Sequence, residues 1–252
     1  MVSRVDARRV ALFDLDGTLL PVELDFFLRH YMDALYKSFR GIMDRRGFDE
    51  ALLGATYETI SNLDPSVTNL EAFARAFSLS TGMDWDTLWP MIRKYYSDEY
   101  PSLRKYVTAE LPAREVVSEC VADGWEIVLA TQPLFPEVAV RERMRWCDVD
   151  SLPWRLITTL ENMHFCKPHL EYYREILEML GVHPSQCVMI GNDVQEDMVA
   201  GALGIRTYLV EDFLLDKGTG GGRPDASGPL SGVPAWLRDV AERSRSSEKD
   251  PG

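Results

Sequence analysis

The sequence is poor in positive charge, in paired cysteine and in long uninterrupted apolar stretches. Its 27 lysines and arginines face 40 aspartates and glutamates, a formal charge of −13. That balance argues against extended nucleic-acid binding, which needs a basic surface to neutralise phosphates. It does not exclude a small anionic ligand, because local charges in a cleft decide that. No stretch reaches the roughly 18–20 uncharged residues of a membrane span. Arg4, Arg8 and Arg9 precede an apolar run over 10–20, but Asp14 and Asp16 interrupt it, which is not the pattern of a signal peptide. The expected setting is cytoplasmic, with no membrane partner. Four cysteines, Cys120, Cys147, Cys166 and Cys187, form no CxxC pair and read as reduced core residues, neither disulfides nor zinc ligands.

What the chain does have, over 252 residues, is enough apolar content (46%) for one sizeable core plus a smaller appended domain. Short apolar runs at 10–15, 125–130, 187–190 and 206–210 each end at turn or acidic residues, as buried strands do. Between them, 112–123, 136–147, 169–180 and 194–203 carry apolar residues at helical spacing. Strands alternating with helices imply an α/β fold, a parallel sheet covered by helices on both faces. Residues 22–106 break the alternation with four successive helical patterns, 24–39, 49–63, 69–79 and 85–100, the last expected to kink or restart at Pro90. This predicts a catalytic core of residues 1–20 and 107–216 with a helical domain, 21–106, inserted in it. The insert's aromatics, among them Phe26, Phe27, Tyr31, Phe73, Phe77, Trp85, Trp89, Tyr95 and Tyr96, read first as its own core, with a pocket lining as the alternative. Residues 217–252 open with a Gly-rich stretch and read as a flexible segment, one short helix over 233–243 and a fraying polar end from Ser244.

The chemistry begins at Asp14-Leu15-Asp16-Gly17-Thr18, set where the first strand ends. Ligands of open parallel sheets gather beyond the carboxyl ends of strands. Here Asp14 can attack phosphorus to form an aspartyl-phosphate. Asp16 can protonate the leaving oxygen and then deprotonate the incoming water. Two carboxylates facing a phosphate dianion need cations nearby. Thr131, with the adjacent Gln132 N–H, follows the second strand and can hold phosphoryl oxygens. Lys167, before Pro168 at a helix start, can offset the carboxylates and reach the phosphoryl group. The segment Gly191-Asn192-Asp193-Val194-Gln195-Glu196-Asp197 follows a later strand and suits Mg²⁺, with Asp14, the Asp16 carbonyl and Asp193 as ligands and Asp197 on a metal-bound water.

These four segments, in this order and each at a strand end, resemble those of the haloacid dehalogenase-like hydrolases over 10–212. The resemblance implies a Rossmann-like core with a mobile helical cap and Mg²⁺-dependent phosphoryl transfer. It places the nucleophile on Asp14, the acid/base on Asp16, the phosphate-binding threonine on Thr131 and the lysine on Lys167. One departure stands out: many members have Gly-Asp where this chain has Gly191-Asn192-Asp193, so the direct metal ligand is Asp193 or Asn192, of which the charged oxygen of Asp193 is favoured. The expected function is a phosphatase acting on a small phosphorylated metabolite, as a monomer or homodimer. The alternatives are a phosphomutase, a 2-haloacid dehalogenase, which needs neither a metal nor a proton donor, and a non-catalytic phosphate-binding protein.

Overall fold

The computed structural model describes residues 8–107, 109–218 and 220–247. Six parallel strands form one sheet in the order β3-β2-β1-β4-β5-β6, with β1 Val10–Phe13, β2 Glu126–Leu129, β3 Leu156–Ile157, β4 Cys187–Gly191, β5 Arg206–Val210 and β6 Ala226–Gly228. Strand β1 lies between β2 and β4, and its four residues are fully buried. Val10 and Leu12 pack with Tyr172, Tyr173 and Ile176 of α7 (Leu170–Leu180) on one face of the sheet. Ala11 and Phe13 enter the other core with side chains of α5 (Ala113–Ala122), α6 (Glu137–Trp146) and α8 (Val233–Ser247). Alternate side chains therefore feed two cores, which is why the strand reads as an unbroken apolar run.

Between β1 and α5 stand four helices, α1 (Leu24–Lys37), α2 (Arg45–Ser61), α3 (Asn69–Thr81) and α4 (Trp85–Asp98), followed by a 3₁₀ segment, Tyr100–Tyr106. Helix α2 starts earlier than its apolar pattern because the Asp44 carboxylate accepts the Gly47 N–H at 2.7 Å. Thr68 and Glu71 form a capping box at the start of α3, and Gly82 at φ 69° ends it. Helix α4 runs on through Pro90 without restarting. The insert is tied to the core by the Asn69 and Leu70 N–H groups, each 2.8 Å from the carbonyls of Met163 and Leu160. Edge-on ring contacts, Phe27 with Trp146 and Tyr31 with Phe135, add packing there.

Three expectations need correction. Residues 194–203 are turns and a 3₁₀ segment, Met198–Leu203, in place of an α-helix. Acidic side chains take the local N–H groups: Asp193 Oδ1 accepts from Gln195 and Glu196, and Asp197 Oδ2 from Asp193. The two-residue strand β3 is too short to leave a pattern in the sequence. The stretch from 217 is no loose tail: β6 pairs with β5, and Leu230, Val233 and Leu237 are fully buried. Its folded elements hide in a Gly/Pro-rich composition that carries only short apolar signals. Helix α8 also continues past the expected fraying point at Ser244 to Ser247; the fraying expected beyond lies outside the described residues.

Candidate active site

Strand β1 delivers Asp14 to the carboxyl edge of the sheet, where the Asp14 N–H donates to the Ile190 carbonyl at 2.9 Å. The chain then turns on Leu15, whose carbonyl accepts from Thr18, Leu19 and Leu20 at 3.2, 3.0 and 2.8 Å. Gly17 sits at φ 82°, and a Cβ there would lie 2.3 Å from the Asn192 amide nitrogen. Only glycine permits both the turn and this approach, which sets the first acidic segment against the one after β4. The Thr18 hydroxyl lies 3.1 Å from Asp14 Oδ2 and 3.0 Å from Asn192 Oδ1, so its one hydrogen serves either. The Asn192 amide N–H₂ donates to the Phe213 carbonyl at 2.6 Å. Asn192 thus knits the two turns together, and Asp193 is the charged member of the pair.

Lys167 is 1% exposed and donates to Asp14 Oδ1 at 2.9 Å and to Asp197 Oδ1 at 2.6 Å. Burial alone would favour its neutral form, but Asp14 and Asp197 outweigh that and hold its pKa well above the ordinary lysine value. Its ammonium is taken up by these two carboxylates and stands behind the cavity lining. Gln132 clamps the lysine's backbone: its Nε2 donates to the Lys167 carbonyl and its Oε1 accepts the Lys167 N–H, both at 3.0 Å. This clamp adds a side-chain role to the backbone N–H expected of Gln132. Thr131 lines the cavity, and its carbonyl is fixed by the hydroxyls of Thr158 at 2.9 Å and Tyr172 at 2.8 Å.

Asp16 faces a residue the sequence reading missed. Arg143 of α6, fully buried, donates through Nη1 to Asp16 Oδ2, and its guanidinium carbon lies 4.2 Å from the Phe135 ring centroid. Burial raises the Asp16 pKa above the ordinary carboxylate range, with Arg143 opposing and Asp14 adding to the rise. Among the described residues Asp16 Oδ1 has no hydrogen-bond partner, nor do Arg143 Nε and Nη2. The signal for Arg143 was its place on the buried stripe of α6 with Ala139, Val140 and Met144, where an arginine needs a reason.

Asp193 Oδ1 accepts the Gln195 and Glu196 N–H groups at 2.7 and 2.8 Å, while Oδ2 faces the Lys217 ammonium at 3.3 Å. Asp197 is 1% exposed; Oδ1 meets Lys167 and Oδ2 takes the Asp193 N–H at 3.0 Å. A Cβ on Gly191 would lie 2.1 Å from Asp197 Oδ2, so glycine makes room for this carboxylate. Burial raises the Asp197 pKa against the pull of Lys167. Glu196, also missed from the sequence, is raised by burial and accepts from Gln132 Nε2 at 3.2 Å. Asp14, Asp16, Thr131, Gln132, Asp193, Glu196 and Asp197 all line one cavity of about 340 Å³ that rises into the four-helix insert. Of the insert's aromatics, Tyr31, Phe73, Phe77, Trp85, Trp89 and Tyr96 line it too; Phe26, Phe27 and Tyr95 do not.

A parallel sheet with paired carboxylates at the end of its central strand, a buried lysine behind them and a helical insert above describes an α/β protein with an acidic site beneath an inserted helical domain. The sequence profile of the haloacid dehalogenase-like hydrolases matches residues 9–204, and the chain belongs to that family. It is 25% identical over 214 residues to haloacid dehalogenase-like hydrolase domain-containing protein 3 of Xenopus laevis, covering 80% of this chain and 84% of that protein. It is 23% identical over 221 residues to the pyrophosphatase PpaX of Bacillus cereus (strain AH820), covering 82% and 91%. Among solved structures, L-2-haloacid dehalogenase from Xanthobacter autotrophicus shares the fold at a TM-score of 0.56, with 14% identity over 92% of this chain and 98% of that one.

Proposed function

We propose that the chain is a Mg²⁺-dependent phosphoric monoester hydrolase acting through an aspartyl-phosphate on Asp14, with residues 21–106 as its cap and the sheet-bearing residues on either side, through β6 and α8, as its catalytic core. The observation that carries this reading is the unequal setting of two carboxylates in one cavity. Asp14 is held by Lys167 and Thr18 at the strand end. Asp16 is raised by burial and keeps Oδ1 unpartnered, as suits an acid that must carry and then release a proton. A dehalogenase expels halide, which needs no proton, so Asp16 has work only with an oxygen leaving group. The relative named a pyrophosphatase supports phosphorus as the atom attacked, whereas the dehalogenase likeness speaks to fold alone.

In the first step an Asp14 oxygen bonds to phosphorus, the ester P–O bond breaks, and Asp16 gives its proton to the departing alcohol oxygen. In the second, water attacks the same phosphorus, Asp16 takes the water's proton, and phosphate leaves with the Asp14 carboxylate regenerated. Arg143 fixes the Asp16 side chain for both transfers. Thr131 borders the phosphoryl group, and Lys167 offsets and orients Asp14 from behind. Asp197, expected on a metal-bound water, is more deeply buried than Asp14 and Asp193 and anchors Lys167 and the Asp193 turn instead.

The donor set fits a hard cation. Asp14, the Asp16 carbonyl and Asp193 Oδ2 offer oxygens alone. Among the described residues no three His, Cys, Asp or Glu side chains gather into a metal-holding group; Mg²⁺ would rest on one or two carboxylates plus water and substrate oxygens. When bound, the cation would neutralise charge on the phosphoryl oxygens. Chelator is therefore expected to abolish phosphate release, and Asp193→Ala to raise the Mg²⁺ concentration needed by roughly tenfold or more, read from a metal titration of turnover. Full activity in chelator would sink the assignment.

A screen of phosphate esters with Mg²⁺, reading released phosphate, tests the function as a whole. Within it, Asp16→Asn is expected to lose roughly 10²- to 10⁴-fold on an alkyl phosphate and far less on nitrophenyl phosphate, whose leaving group hardly needs a proton. Equal losses on both would remove Asp16 from the acid role.

A further inference from the structure

The cavity above the carboxylates is divided by chemistry. Its charged and amide-bearing lining comes from the strand ends below, residues 14–16, 131–132 and 192–197. No lysine, arginine, histidine, aspartate or glutamate of α1–α4 lines it among the described residues. Of the hydroxyls that the helices present, Thr56 donates to the Leu52 carbonyl at 2.8 Å, and Tyr31 and Tyr96 share one hydrogen bond at 2.7 Å. Meanwhile Leu28, Met32, Phe73, Trp85 and Trp89 pack against the core yet stay only partly covered, and all five line this space. The lining reaches Phe39 and Phe77, which are buried in the interior of the insert.

A carboxylate or a second phosphate entering that space would lose its water and find no charged partner on the helices. An apolar chain would lose nothing by leaving water and would cover the five uncovered side chains. Resting on the phosphatase reading above, we propose that the substrate is the phosphate monoester of a long-chain aliphatic alcohol, with its phosphate at Asp14 and its chain running between α1–α4 toward Phe77. The small phosphorylated metabolite expected from the sequence is thereby specified as an amphiphile.

The test compares ethyl, hexyl and decyl phosphate as substrates with Mg²⁺, all below their micelle concentrations. If the chain is buried, kcat/KM rises about fourfold per methylene until the cavity is full. Most of that rise appears in KM, because ground and transition states bury the chain alike. Thr56→Trp, which fills the cavity from α2, is expected to erase the preference for decyl phosphate, bringing its kcat/KM down toward that of ethyl phosphate. Trp89→Ala, which removes a wall without adding bulk, is expected to lower kcat/KM for decyl phosphate selectively. Calorimetry on Asp14→Asn gives a readout free of chemistry: decyl phosphate binds more tightly than ethyl phosphate, with the more negative heat-capacity change. Phosphate release at one rate for all three esters overturns the chain-length proposal and leaves the hydrolase reading standing. No release from any ester, nitrophenyl phosphate included, overturns the hydrolase reading and the proposal with it.

Discussion

Asp14→Asn is expected to bring phosphate release down to background, a loss on the order of 10⁵-fold or more, with the fold intact. An amide oxygen cannot form the acyl-phosphate, so no covalent phosphoryl intermediate builds up and neither half-reaction proceeds. The site can absorb the change without strain. The amide oxygen still accepts from Lys167, now 2.9 Å from Oδ1. The new N–H₂ can donate to the Thr18 hydroxyl, which turns its own hydrogen to Asn192 Oδ1, 3.0 Å away. Substrate binding should survive or tighten, since one negative charge facing the phosphate is gone. Trapping with beryllium fluoride checks the assignment directly: the adduct forms on Asp14 in the parent and is absent from Asp14→Asn. Substantial turnover by this variant would move the nucleophile elsewhere.

Lys167→Met is expected to damage stability and activity together. It leaves Asp14 and Asp197 buried without their shared cation, and removing one partner of a buried pair typically costs about 3–5 kcal/mol, seen as a lower urea midpoint. Because both carboxylates lean on one ammonium, the energies should not add. Lys167→Met combined with Asp197→Asn should recover part of the stability lost by the single variant, while turnover stays low because Asp14 is still unbalanced. Strict additivity of the two single effects would show that the three groups do not act as a unit.

Much of the core was legible because its strands are short and covered on both faces, so each appears as an apolar run ending at a functional turn: Phe13 before Asp14, Ala130 before Thr131, Ile190 before Gly191. The acids and Thr131 meet at one end of the cavity for the same reason, since parallel strands present their carboxyl ends on one edge. Arg143 escaped notice because charged neighbours, Arg141, Glu142 and Arg145, surround it in sequence; only its helical phase marks it as internal. The 194–203 segment misled because its apolar residues keep helical spacing while Asp193 and Asp197 compete for the backbone. Residues beyond 216 misled through composition. Glycine there serves close contact: Cβ atoms on Gly221 and Gly222 would come within 2.6 and 1.9 Å of the Val194 and Met198 carbonyls.

The central position of β1 sets an order of events during synthesis. This strand emerges first, yet its neighbours β2 and β4 lie more than a hundred residues downstream. At translation rates of roughly 5–20 residues per second it waits several seconds for a first partner, with both apolar faces and both edges open. The helices α1–α4 emerge in that interval, and their contacts within and between adjacent helices can form locally, without the sheet. The nascent chain thus carries its helical insert before it has a sheet. Strand β1 stays open until the carboxylates' own platform is assembled around it.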